Sequence, residues 1–549
     1  MSLLQVSNLT FAYEGSFDNI FEDISFSVDT DWKLGFIGRN GKGKTTFLNL
    51  LLGKYEYKGS ISTNMYFDYF PYQVSKFDME KTVDDLMESW KPGVESWRVI
   101  CELNNLDVDA EILYRPIKTL SHGERTKAML AVLFSGENEF LLIDEPTNHL
   151  DVGGRETIKK YLAEKQGFIL VSHDRDLLDA VADHMLVMNR SSIEVVSGNF
   201  SSWWENKQKA DAFAMAENEK HLKEIGKLKA SADRVGRWAE KSENSKIGFD
   251  PIKEHDRSIS TRSYIGAKTK KMQSRVKNFE KRIDREIEEK EGLLNDIENV
   301  DDLKIIPMTH HKKCLIDCRD FSLGYISNAH SADSSPKVPQ RDSPSGVVPH
   351  GDCPSGGLDG KDNAINGVID GITFQLMQGD ILFLSGNNGC GKSSLIKKIL
   401  SETGAKNDVN QEDISNMVTD GRLEVASGLV VSYINQNTSH LSGSLKDYAE
   451  KHSLDYSLLL TLLRKLDMNR VQFEKNIEEY SEGQKKKVLI AASLLTSAHL
   501  YIWDEPMNYI DVFSRMQIEK LIEVYKPTMI MVEHDARFRE KLATTTINL

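Results

Sequence analysis

Two homologous α/β domains, joined by an antiparallel two-helix coiled-coil arm, are the fold class that the sequence predicts. Three observations carry the prediction. Four short motifs occur twice, in one order and at nearly equal spacing. Each copy opens with a buried-strand pattern, a glycine-rich loop and a helical pattern. Between the copies lies a highly charged stretch with apolar residues at every third or fourth position.

The repeat fixes the first and third elements. GRNGKGKTT begins at Gly38 and GNNGCGKSS at Gly386. LSHGE ends at Glu124 and YSEGQ at Gln484; LLIDEPTNHLD ends at Asp151 and YIWDEPMNYID at Asp511; VSHD begins at Val171 and VEHD at Val532. Ser121 to Glu145 spans 24 residues, as does Ser481 to Glu505; Glu145 to His173 spans 28 and Glu505 to His534 spans 29. The predicted domains are therefore 1–202 and 306–549, with 203–305 between them. One interval differs. Tyr13 to Lys44 is 31 residues, whereas Tyr325 to Lys392 is 67, so the second copy holds 36 more. They fall within 327–364, a Ser-, Pro-, Gly- and Asp-rich stretch that lacks the apolar side chains to offset its ordering entropy, and a flexible loop is predicted there.

Composition limits the function. The 549 residues carry a net charge of −14, which disfavours a general nucleic-acid binder. Residues 221–282 depart from this, with 17 Lys+Arg against 8 Asp+Glu; their +9 leaves −23 for the remainder. A basic segment on an acidic body predicts that a polyanion is met at one place. No run of about 18 apolar residues is present to span a membrane. The first residues lack the basic head and apolar core of a secretory signal. Five scattered cysteines argue against a disulfide framework and for a reducing, cytoplasmic setting.

The motifs carry a specific chemistry. Gly38, Arg39, Asn40, Gly41, Lys42, Gly43, Lys44, Thr45 and Thr46 form one glycine loop, and Gly386, Asn387, Asn388, Gly389, Cys390, Gly391, Lys392, Ser393 and Ser394 the other. Such loops let backbone N–H groups approach phosphates. Lys44 and Lys392 neutralise them, and the Thr45 and Ser393 hydroxyls suit Mg²⁺. Asp144 and Asp504 end apolar strands and are placed to hold Mg²⁺ through water. Glu145 and Glu505 are placed to polarise an attacking water. His173 and His534, at matched distances beyond those glutamates, suit a γ-phosphate contact, although a lone histidine at a strand end is commonly structural. Gln73 and Gln436 follow strand-like runs and are candidates to sense the metal or water. Tyr13 and Tyr325 precede the loops and either stack on adenine or fill the core.

Together with LSHGE and YSEGQ, this set resembles the ATP-binding-cassette ATPases over about 400 residues. The resemblance implies two P-loop nucleotide-binding domains, each hydrolysing ATP with Mg²⁺, paired head to tail within one monomeric chain. One ATP would lie between Gly38–Thr45 and the signature residues Ser481 and Gly483. The other would lie between Gly386–Ser393 and Ser121 and Gly123. The copies depart from each other. His122 stands where a glycine is usual, and Met507 and Tyr509 replace Thr147 and His149.

The arm is the second element. Leu222, Ile225, Leu228, Ala232, Val235 and Ala239 predict one apolar helical seam, and Met272, Val276, Phe279, Ile283 and Ile287 a second. Each helix would span about 38 residues, or roughly 57 Å. The tip loop, 241–263, carries Ile247, Phe249 and Ile252; Arg262, Lys268, Lys270 and Lys271 cluster nearby, as phosphate-backbone contact requires. A rigid spacer is the plainer alternative, but it would not need charge of one sign at its far end.

Two fused cassettes with a helical-hairpin linker and no membrane segment resemble the ABC-F translation factors. That implies ATP-dependent ribosome binding, with the linker reaching the P-site tRNA and large-subunit rRNA. The long linker, with LTFAYEGSFDNIFEDISF at the N-terminus, is similar to the Lsa-type resistance branch, which protects ribosomes from lincosamides, pleuromutilins and streptogramin A. A housekeeping translation factor and the ATPase subunit of a transporter with a separate membrane partner are the alternatives. A zinc site from His310, His311, Cys314 and Cys318 is disfavoured, because alignment of the copies puts Cys318 opposite Val6, a core strand position.

Overall fold

The computed structural model describes residues 3–13, 19–148, 150–189, 192–244, 303–326, 365–404 and 416–549, and positions 274, 277, 281 and 282. Two compact units result. One joins residues 1–200 with 301–549, and the other is 201–300.

The first unit holds two lobes, each with one parallel and one antiparallel sheet. In the first lobe the larger sheet runs Tyr66–Phe70, Glu139–Asp144, Phe168–Val171, Lys33–Gly38, His184–Met188 and Ile193–Ser197 from edge to edge. All neighbours are parallel except the last pair. The second lobe repeats this with Val431–Ile434, Leu500–Asp504, Met529–Val532, Ile381–Ser385 and Thr545–Asn548, all parallel. These strands are nearly continuous apolar runs because helices cover both of their faces. Phe36, Phe140, Ile169 and Phe383, Ile502, Ile530 are buried in the two lobes.

Each antiparallel sheet closes the core from one side. Leu3–Phe11 lies between Phe21–Asp29 and Lys58–Ser62, and Cys314–Ile326 lies between Ile365–Met377 and Met417–Val425. Their alternating apolar residues pack on the helix that follows each glycine loop. Phe47, fully buried, meets Phe21, Phe26 and Phe36 edge-on or tilted. Cutting such a residue back to alanine costs about 3–5 kcal/mol. Cys318 is likewise fully buried, among Leu323, Phe374 and Leu376, so it serves the core.

Register sets the functional edge. Phe70 pairs with Ile143 and Asp144 with Val171; Ile434 pairs with Trp503 and Asp504 with Val532. Both glycine loops and both acidic pairs thus leave the C-terminal ends of parallel strands, where open α/β sheets bind ligands.

The second unit contains one uninterrupted helix, Phe200–Asn244, of 45 residues. At 1.5 Å per residue it is about 68 Å long. It contains no proline, and Ile225 is buried and Leu228 half-buried, whereas the seam position Leu222 is 58% exposed. Ser274, Lys277, Lys281 and Arg282 are also helical. The remaining seam residues from Met272 to Ile287, the tip residues Ile247, Phe249, Ile252, Arg262, Lys268, Lys270 and Lys271, and the insertion 327–364 lie outside the described residues. No described helix is long and apolar enough to cross a membrane.

Candidate functional site

Each glycine loop turns into its helix through a glycine where any side chain would be strained. Gly43 has φ +109° and Gly391 φ +98°; a Cβ would fall 2.7 Å from Ile20 in one and 2.7 Å from Val368 in the other. The helices Lys44–Leu51 and Lys392–Thr403 follow, with their free N–H groups and positive dipole ends turned into the loops. Lys44 Nζ donates to Gly38 O at 2.7 Å, and Lys392 Nζ to Gly386 O at 2.8 Å. These lysines hold the loops in shape and are the nearest cations for a phosphate.

The acidic pairs sit beside the loops. Thr45 Oγ1 donates to Asp144 Oδ2 at 3.1 Å, and Ser393 Oγ to Asp504 Oδ2 at 2.9 Å. Asp504 Oδ1 is buried and receives no hydrogen bond among the described residues. A bare carboxylate oxygen next to a hydroxyl is the hard donor set that Mg²⁺ takes. Burial pushes Asp504 up to about 6, against the Ser393 hydrogen bond.

Glu145 and Glu505 follow in left-handed backbone, φ +52° and +47°. Their N–H groups hold this turn by donating to Val171 O at 2.9 Å and Val532 O at 3.0 Å. Such a conformation costs a non-glycine residue about 1 kcal/mol or more, and it aims the carboxylate away from the strand axis. His173 Nε2 lies 3.5 Å from Glu145 Oε1, and His534 Nε2 lies 3.5 Å from Glu505 Oε1. Tyr13 OH bonds Thr46 Oγ1 at 2.8 Å, and Tyr325 OH donates to Ser394 Oγ at 2.8 Å. Both tyrosines are thereby fixed to the loops.

The lobes complete each other's sites. A cavity of 710 Å³ is lined by Tyr13, Lys44, Thr45, Glu145 and His173 from the first lobe and by Ser481 and Gly483 from the second. A second, of 1090 Å³, is lined by Ser121 and Gly123 from the first lobe and by Asn387, Glu505 and His534 from the second. Both serines begin helices with a capping box, Ser121 with Glu124 and Ser481 with Gln484, so each helix end is held at a cavity wall. Asn40 Nδ2 donates across the lobes to Tyr509 O at 2.8 Å. Arg175 Nη2 donates to Glu519 Oε2 at 2.8 Å, and Arg537 Nη2 lies 2.6 Å from Asp179.

The two sites are not equivalent. Glu505 Oε2 accepts from Gln436 Nε2 at 2.8 Å and from Asn508 Nδ2 at 2.8 Å. Burial would raise its pKa, but His534, Gln436 and Lys486 together bring it below the ordinary value. In the other site burial pushes Glu145 up to about 8, and the Asp144 charge adds to the rise. Burial, with Lys44 and Arg515, holds His173 well below its usual value. Gln73, a candidate to sense the metal or water, is not at its cavity as Gln436 is. It is exposed and outside the cavity lining. The register explains why. Phe70 and Ile434 occupy matching positions, so the residue two further on is Tyr72 in one lobe and Gln436 in the other. Tyr72 turns away, donating to Asp68 at 2.6 Å and stacking on Trp90.

Sequence reasoning misses several site residues, although Asp511 closes the motif YIWDEPMNYID. Tyr69 OH donates to Asp144 Oδ2 at 3.1 Å, beside Thr45. Lys487 and Asp511 form a buried pair 3.1 Å apart, and Asp511 acts electrostatically on Lys44 and His173 of the other lobe. Tyr69 has a counterpart in Tyr433, which the register reveals and the one-residue offset at Gln73 conceals.

Comparison with known proteins agrees with this geometry. Residues 21–148 and 369–508 each match the ABC transporter family model. The chain is 24% identical over 541 residues to the ribosome protection protein VmlR of Bacillus subtilis, covering 98% of this chain and 85% of that protein. It is 24% identical over 565 residues to the ATP-binding protein Uup of Buchnera aphidicola, covering 99% and 80%. Among solved structures, an archaeal ribosome recycling factor in complex with a ribosomal stalk protein superposes with a TM-score of 0.56 at 15% identity, covering 98% of this chain and 87% of that one. An RNase-L inhibitor gives 0.54 at 16%, covering 99% and 87%. At these identities the structural matches establish the fold.

Proposed function

We propose that the chain is a tandem ATP-binding-cassette ATPase of the ABC-F group, which binds the ribosome when ATP closes its lobes and lets go after hydrolysis. The observation that carries this reading is the pair of cavities walled by a glycine loop from one lobe and a capped signature helix from the other. A ligand that touches both walls adds to the direct contacts between the lobes, and a nucleoside triphosphate has the reach and the charge.

The residues divide the work. Lys44 and Lys392, with the loop N–H groups, take the phosphates. Thr45 with Asp144, and Ser393 with Asp504, would hold Mg²⁺, which when bound would neutralise phosphate charge. Glu145 and Glu505 accept the proton of the attacking water, and His173 and His534 orient them and contact the γ-phosphate. Ser121, Gly123, Ser481 and Gly483 approach that phosphate from the facing lobe. Tyr13 and Tyr325 stack on the base.

Ribosome binding is supported by the relative named a ribosome protection protein and by the +9 charge of residues 221–282. The arm is the part of the chain that meets RNA, through Arg262, Lys268, Lys270 and Lys271 on phosphates. Its apolar tip, Ile247, Phe249 and Ile252, acts near the P-site tRNA and the peptidyl-transferase centre. Displacement of lincosamides, pleuromutilins or streptogramin A there, in the cytoplasm, is the function proposed. The second reading is a general translation factor with no drug to displace; Uup, equally identical to this chain, is named for ATP binding alone.

The test uses the variant Glu145→Gln with Glu505→Gln. It is expected to bind ATP and to stay with ribosomes through a sucrose cushion in ATP but not in ADP. Recovery of the variant in the supernatant under both conditions would sink the proposal. If the variant pellets yet wild-type protein gives cells no drug tolerance, the general-factor reading stands.

A further inference from the structure

We infer that the first-lobe site is selective for a ribonucleoside triphosphate because Asp467 of the second lobe reads the sugar. The inference rests on the assignment above of Tyr13 to the base and of Lys44 to the phosphates. A nucleotide held at those two points carries its sugar between them. Facing that space, in the same cavity wall as Ser481, stand Asp467, Asn469 and Gln472.

Asp467 is built to receive donors. It follows the helix Tyr456–Lys465 in left-handed backbone, φ +61°, and its N–H is tied to Arg464 O at 2.9 Å. Its side chain is 20% exposed and its Oδ1 lies 3.6 Å from Arg39 Nη1 of the glycine loop. Its Oδ2 is buried and accepts no hydrogen bond among the described residues. An ionised carboxylate only accepts, and a buried acceptor left unmatched is costly. The vicinal hydroxyls of a ribose are the donors that a nucleotide offers at this level. Arg39 orients the carboxylate from one side while the sugar approaches the other oxygen.

The facing cavity is also lined by the matching carboxylate, Asp107, but without the arginine beside it. The residue matching Asp467 is Asp107, which is exposed, and the residue matching Arg39 is Asn387. Asn469 starts its short turn without a side-chain cap, whereas the matching Asp109 is engaged in capping Glu111 N at 2.9 Å. Asn469 therefore has its amide available to the first-lobe cavity as Asp109 does not have its carboxylate for the other. Sugar selection is a property of one site, set by the lobe that does not bind the phosphates.

The experiment is calorimetric titration of the full chain carrying Lys392→Ala, which leaves the first-lobe site to bind. ATP and 2′,3′-dideoxy-ATP are compared. With Asp467 present, ATP is expected to bind roughly tenfold more tightly, the size of a hydrogen bond to a charged group. Asp467→Ala is expected to bring the two affinities together, and Asp467→Asn, which keeps one acceptor oxygen, to retain part of the preference. A role limited to the Arg39 contact would weaken both nucleotides equally and preserve their ratio, and that result overturns the inference. An equal affinity for both nucleotides in the parent protein also overturns it. If the parent binds neither nucleotide, or binds ATP with Lys44→Ala as well as without, the site assignment itself fails.

Discussion

Removal of Arg175 tests whether the lobes are held together by charge buried between them. Its guanidinium is 2.8 Å from Glu519 and 3.9 Å from Asp535, and the three side chains are 8%, 7% and 4% exposed. Deleting one partner of a buried pair costs about 3–5 kcal/mol, since the other charge stays out of water. Here the carboxylates keep some company. Lys541 Nζ is 3.0 Å from Glu519 and Arg515 Nη1 is 3.7 Å from Asp535. The low end, about 3 kcal/mol, therefore applies, which is roughly a hundredfold in the ratio of closed to open lobes. The assay is energy transfer between one dye on each lobe, titrated with ATP in the Glu145→Gln, Glu505→Gln background so that closure is not reversed by turnover. Circular dichroism would verify that each lobe stays folded. Arg537→Ala is the internal comparison. Its pairs with Asp176 and Asp179 also cross the lobes, but Arg537 is 38% exposed, and solvent screening leaves such a pair about 1 kcal/mol or less. Arg175→Ala should shift closure far more than Arg537→Ala. Equal shifts, or none with Arg175→Ala, would refute the claim that this buried pair holds the lobes together.

Two further outcomes follow from the unequal glutamates and from Tyr69. Glu505→Gln is expected to remove most of the steady-state ATPase, since loss of a positioned general base costs its own site about a hundredfold, whereas Glu145→Gln should leave more than half of it; matching losses would show that the Gln436 and Asn508 bonds to Glu505 do not matter for turnover. Tyr69→Phe removes a hydroxyl that donates to Asp144, so the Mg²⁺ concentration for half-maximal activity of a Lys392→Ala chain should change severalfold, and an unchanged Mg²⁺ titration would make that hydroxyl a bystander.

What the sequence discloses depends on whether the chemistry is local. Strand, glycine loop and helix follow one another within a dozen residues, so Lys44, Thr45 and their counterparts Lys392 and Ser393 are found by spacing alone. Asp144 reaches Thr45 across 99 residues, yet it is still legible, because each end sits in its own motif and the repeat supplies a second example. Gln73 shows where this stops. A glutamine after a strand-like run marks Gln73, but strand pairing places Tyr72 at the position that Gln436 holds, and pairing is not written in the residues on either side. Contacts such as Asn40 with Tyr509, 469 residues apart, and Arg175 with Glu519, 344 apart, depend on how two finished surfaces meet. No period or propensity encodes that. The long helix Phe200–Asn244 is the opposite case, since lack of proline and a three-to-four spacing suffice to announce it.

The cross-lobe arrangement explains how two copies of one motif set give two unlike sites. Each cavity takes its glycine loop from one lobe and its signature wall from the other, so a substitution in either lobe alters both cavities in different ways. Lys486 is a case in point. Its ammonium donates to Asn435 O at 3.1 Å and Glu505 O at 3.2 Å, strapping the strand end that carries Glu505. The matching residue in the first lobe is Thr126, whose side chain is too short to reach the backbone of Glu145 in the same way. The neighbouring Lys487 instead pairs with Asp511 at the wall of the first-lobe cavity, where Asp511 acts on Lys44 and His173. One helix, Glu482–Leu495, therefore supports the catalytic carboxylate of its own lobe through Lys486 and shapes the cation environment of the facing lobe through Lys487. Adjacent residues on a helix point about 100° apart, which is what lets one element serve two sites. Turnover at Glu505 and nucleotide binding at Lys44 are thus linked through a single rigid body, and a change at Lys486 or Lys487 cannot be confined to one of them.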